Sequence, residues 1–61
     1  MRLDQIAGQD CGKKDCPAVF VTDRDTIAVQ GNTLDRATPA NEAVVEIPTA
    51  VLKEAVRALG W

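Results

Sequence analysis

The spacing of apolar positions along the 61-residue chain changes period once, near Pro48. Between residues 17 and 30 two short runs rich in β-branched side chains, 17–22 and 26–30, have the two-residue period of strands. The run 17–22 (PAVFVT) is β-branched and aromatic, with Pro17 at its start, where a missing N–H is tolerated. Val19 and Val21 share one face; Ala18, Phe20 and Thr22 share the other. Asp23-Arg24-Asp25 has the length and polarity of a hairpin connector, and 26–30 (TIAVQ) alternates again until Gly31-Asn32. After a polar loop holding Pro39, residues 43–47 (AVVEI) read as a third strand ended by Pro48. Beyond it Val51, Leu52, Ala55, Val56 and Leu59 fall on one helical stripe. That stripe is expected to face the core, with Leu52 among its large buried side chains. Gly60 suits the residue after a helix end, and Trp61 either folds back over that end or docks on a neighbouring molecule.

The N-terminal stretch lacks either period. Leu3 and Ile6 are spaced for one helical turn, and Gly8 and Gly12 stop anything longer. The expectation is therefore an arm over 1–16 and a single β-β-β-α domain over 17–61. This is an α+β fold, a small three-stranded antiparallel sheet packed against one C-terminal amphipathic helix.

Composition sharpens this picture at the core. The apolar share is 46%, ordinary for a folded chain, but Phe20 and Trp61 are the only aromatics. A chain of this length buries only about 60% of its unfolded surface. A thin core of Ala, Val, Leu and Ile implies that some cover comes from another chain, a protein partner or a second copy. The formal charge is −2 with no basic stripe, which disfavours direct nucleic-acid binding. No apolar run approaches the roughly 18 residues of a membrane span. No signal-peptide core follows Met1 either, so the expected compartment is the cytoplasm.

Residues able to carry chemistry are few. The chain has no histidine and no serine, which removes the commonest general base and the serine triad. Asp23 and Asp25 suit turn shaping better than acid–base work. No catalytic residue is assigned, and a binding protein is expected rather than an enzyme. Cys11 and Cys16 stand as C-x4-C ahead of the first strand. Three states remain open for them: reduced thiols, a local disulfide with redox behaviour, or half of a zinc site. A zinc site needs four ligands, so it would join two chains or borrow Asp10 or Asp15. Otherwise no cofactor is expected. Phe20, Arg24, Gln30 and Trp61 are the candidate partner contacts.

The motifs Cys16-Pro17-Ala18-Val19-Phe20-Val21-Thr22-Asp23-Arg24-Asp25-Thr26, Val29-Gln30-Gly31 and Val45-Glu46-Ile47-Pro48 with Leu52 resemble short actinobacterial, streptomycete-like proteins reading CPxVYxTDRGT, VVQG and VEIPxxLL. The layout is also similar to a larger group of small actinobacterial proteins encoded beside helix-turn-helix regulators of the Xre type. The Trp that group carries early in its helix is replaced here by Val51-Leu52. The resemblance implies a non-enzymatic accessory protein acting with a transcription regulator. A thiol or zinc protein using Cys11 and Cys16, and an antitoxin-like neutraliser, are the rival expectations.

Overall fold

The computed structural model describes residues 1–8 and 16–61. Its elements run β1 (Leu3–Ala7), β2 (Ala18–Thr22), β3 (Ile27–Gln30), β4 (Asn32–Thr33), β5 (Val45–Glu46) and α1 (Thr49–Leu59). Strands β1, β2 and β3 form a three-stranded antiparallel sheet in that order, and β4 pairs with β5 in a separate ladder. With α1 packed on the sheet this is the expected α+β class. None of the described helices is long and apolar enough to cross a membrane.

The membership of the sheet differs from the expectation. The segment read as an arm supplies β1, and residues 43–47, read as the third strand, contribute only Val45–Glu46 to the β4 ladder. A bulge explains why β1 is hidden. Gln5 pairs with Phe20 and Ala7 with Val19, so Ile6 is the extra residue. A bulge interrupts strict alternation, and here Ile6 and Ala7 both reach the core although they are adjacent in sequence. The 43–47 run does alternate, but its partner is β4, in a ladder separate from the β1–β2–β3 sheet, and local pattern does not encode which strand a run meets.

The hairpin between β2 and β3 is built on one hydroxyl. Thr22 Oγ1 accepts from the Arg24 and Thr26 backbone N–H groups at 3.1 and 3.3 Å and lies 2.7 Å from Thr26 Oγ1. Asp25 takes φ 60°, the left-handed position of such a loop. Asp23 exchanges bonds with the Arg2 backbone, its Oδ2 accepting the Arg2 N–H at 3.1 Å and its own N–H donating to the Arg2 carbonyl at 3.2 Å. Its carboxylate thus ties the hairpin to the start of β1.

Helix α1 starts at Pro48, whose extended backbone (φ −59°, ψ 141°) delivers the chain into the first turn. It ends as the sequence predicts. Gly60 is left-handed at φ 74°, its N–H donating to the Arg57 carbonyl while the Trp61 N–H donates to Val56. That pair of bonds is a Schellman cap, and it fixes where the chain leaves the helix.

Ala7, Val19 and Ala55 meet at the centre of the core, each 2% exposed, with Ile6, Ile47 and Val51 packed around them. Among the described residues no large side chain is fully buried. Small residues let α1 come down close to the sheet, and Glu54 adds a polar tie by accepting the Gly8 N–H at 2.8 Å. Gly8 sits at φ 100°, and a Cβ there would run into the Pro17 carbonyl, so this close approach requires glycine.

The helix stripe needs a correction. Ala55 is buried and Val51, Val56 and Leu59 are half-buried, but Leu52 is 53% exposed. The apolar stripe is wider than the strip of sheet beneath it, and Leu52 falls on its uncovered side. Replacing Val19 with Ala should therefore cost about 2 kcal/mol. Leu52→Ala should change stability by no more than about 0.5–1 kcal/mol. Thermal melting of the two variants beside the parent checks the ranking.

Candidate docking surface

The position of α1 leaves part of its own sheet face bare. Val19, Val21, Ile27 and Val29 all point to the helix side, since Val19 pairs with Val29 and Val21 with Ile27. A helix about 10 Å across covers roughly two strands spaced at about 4.8 Å. Helix α1 lies over β1 and, to a lesser extent, β2. Ile27 and Val29 on β3 consequently remain 44% and 46% exposed.

Helical geometry says which flank of α1 looks toward β3. At roughly 100° per residue, Leu59, Leu52 and Val56 fall about 40°, 60° and 100° to one side of Ala55, and Glu54 about 100° to the other. Glu54 bonds Gly8 just beyond β1. The Leu52–Val56–Leu59 flank therefore looks away from β1 and toward β3.

Two hollows follow that flank. The inner one, about 240 Å³, lies between the hairpin and the helix end and is lined by Val21, Ile27, Leu59 and Trp61 among others. The outer one, about 510 Å³, is lined by Thr49, Leu52, Lys53, Val56, Arg57 and Trp61. Trp61 borders both and is 79% exposed. The Schellman cap aims it there. Lys53 and Arg57 give the outer hollow a basic rim, while Asp25 stands beside the inner one. A further cleft of about 360 Å³ lies where Pro17 meets the β4–β5 ladder, with Glu46 among its lining residues.

The residues singled out from the sequence do not form one cluster. Phe20 is half-buried on the opposite sheet face, Arg24 is exposed at the hairpin tip, and Trp61 is on the helix side. Gln30 is occupied locally, its Nε2 donating to the Cys16 carbonyl at 2.8 Å. Cys16 is half-buried and disulfide-bonded. Cys11, Asp10 and Asp15 lie outside the described residues. Among the described residues no three His, Cys, Asp or Glu side chains come together as a metal site. Sequence reasoning missed Ile27, Val29 and Leu52. The signal available for them was width, since one helix cannot cover three strands.

Compared with protein-family models, with curated proteins and with solved structures, the chain matches none.

Leu52→Gln and Ile27→Thr should each move stability by no more than about 0.5 kcal/mol, as exposed positions do. Both should reduce the fluorescence of a bound anilinonaphthalene sulfonate dye, which reports open apolar surface. Dye titration beside a melting curve measures the two effects together.

Proposed function

We propose that this chain is a small non-enzymatic accessory module that acts by docking on another protein through the outer flank of α1. Leu52, Val56 and Trp61 supply the apolar floor of that surface, and Lys53 and Arg57 its rim. The observation that carries this reading is Trp61. The chain's largest apolar side chain is held in solvent by a hydrogen-bonded helix cap instead of being spent on a core that lacks bulk. Exposed Trp beside Arg is the composition of an interface hot spot, and Leu52 and Val56 supply the apolar surround. The basic rim favours an apolar segment flanked by acidic residues. The resemblance to proteins encoded beside Xre-type regulators supports a helix-turn-helix transcription regulator as the partner class, in the cytoplasm.

A thiol-redox role is the second reading, favoured by one observation, the disulfide at Cys16. Cytosolic disulfides are mostly transient and catalytic or redox-sensing.

Co-expression with a helix-turn-helix regulator of the Xre type, followed by affinity capture, tests the first reading. The parent should retain the regulator, and Leu52→Asp and Trp61→Ala should each weaken binding roughly tenfold or more while melting like the parent. Unchanged binding in both variants would remove the helix flank as the docking site. If dithiothreitol abolishes binding while the fold persists, the thiol reading takes precedence.

A further inference from the structure

We propose that the outer edge of β3 is the interface with a second copy of this chain, joining two three-stranded sheets into one six-stranded sheet. This surface is the strand edge, which adjoins the helix flank at Leu59 and Trp61 but pairs through backbone groups that the flank does not supply.

The hydrogen-bond register shows which groups are available. Thr22 donates to the Thr26 carbonyl at 3.0 Å, so Thr22 and Thr26 form a bonded pair. Bonded and non-bonded pairs alternate in an antiparallel ladder. Phe20–Ala28 and Ala18–Gln30 are then bonded pairs, and Val21–Ile27 and Val19–Val29 are not. The N–H and C=O groups of Ile27 and Val29 therefore point outward, and among the described residues nothing pairs with that edge.

The two edges of the sheet are built differently. On β1 the edge is blunted by a bulge, by the exposed Arg2–Asp4 ion pair, and by the Gln5 side chain, whose Nε2 donates to the Ala7 and Gly8 carbonyls. These are the devices that keep an edge from pairing. On β3 the sequence is Ile-Ala-Val-Gln, in unbroken register, without charge, proline or bulge. An edge that regular and apolar is a template for another strand.

The partner strand is identified by self-complementarity. Two β3 strands related by a two-fold axis keep like faces together when the axis passes at Ala28. Ile27 then lies opposite Val29 of the second copy, with the outward N–H and C=O groups of that pair and its symmetry mate bonded to each other. Ala28 meets Ala28, and Thr26 meets Gln30. The apolar strip beside Leu59 and Trp61 becomes continuous across the axis.

Area points the same way. A compact monomer of 6.5 kDa exposes roughly 3,800 Å². This chain exposes 5063 Å². Part of the excess, on the order of 1,200 Å², is the bared strip of β3, where Ile27 and Val29 are 44% and 46% exposed.

The test uses the central pair. Ala28→Lys and Ala28→Glu each place like charges face to face across the axis and should weaken self-association roughly a hundredfold or more. Mixed in equal amounts they should recover it, because Lys then meets Glu. Sedimentation equilibrium at roughly 100 µM, above the micromolar range of a weak standard-size interface, should give twice the monomer mass for the parent and for the mixture, and the monomer mass for each variant alone. Amide exchange on the unmodified chain serves as a check that does not depend on a variant folding. The Ile27 and Val29 amides should be protected at high concentration and exchange freely on dilution. A parent that stays monomeric would overturn the proposal, as would a dimer whose Ile27 and Val29 amides remain unprotected. Regulator capture tested with Leu52→Asp reports on the helix flank alone, so either surface can fail without the other.

Discussion

The contact of Ala7, Val19 and Ala55 sets the geometry of the whole domain. A helix approaches a sheet as closely as the side chains between them allow, and here those are two alanines and a valine. Close approach is possible only where such small residues face each other, which is over β1 and β2. The bulge at Ile6 turns Ala7 toward the helix, and Gly8 lets the chain pass Pro17 without a clash. Glu54 then closes the gap with a bond to a backbone N–H that has left the ladder. Each of these features serves the same off-centre seat for α1.

An off-centre helix explains what is exposed. Ile27 and Val29 belong to the helix-facing side of the sheet by register, yet with α1 seated over β1 and β2 they stay 44% and 46% exposed. Leu52 belongs to the apolar stripe of α1 by period, yet it overhangs the same uncovered side. The open surface is thus a geometric result of seating a narrow helix at one side of a three-stranded sheet. Dispersion and hydrophobic burial scale with the area in contact.

Much of this was legible in the sequence, at the level of single elements. Alternation placed Val19 and Val21 opposite Phe20, the change of period located α1, and Gly60 marked its end. The failures share one physical cause. β1 was invisible because a bulge breaks the alternation by which strands are recognised. The strand at 43–47 was placed in the wrong sheet because its own pattern says nothing about which strand it meets. Leu52 was assigned to the core because helical period identifies a stripe but not how much of it the partner surface covers. The candidate surface was legible only in outline: a thin core implied exposed apolar area, and Trp61 was marked, but Ile27 and Val29 emerge only once the seat of the helix is known.

Building the helix–sheet contact from alanine also changes how the domain responds to mutation. In an ordinary core of leucine and phenylalanine most substitutions remove volume, and the damage is a cavity. At Ala7 and Ala55, each nearly inaccessible to solvent, every replacement except glycine adds volume. Random change at these sites therefore wedges α1 away from the sheet, where rigid packing leaves no slack to absorb it. Tolerance at the heart of this domain is bounded from above rather than from below. Chains sharing its architecture should vary widely on the outer helix flank and hardly at all in the size of these two side chains.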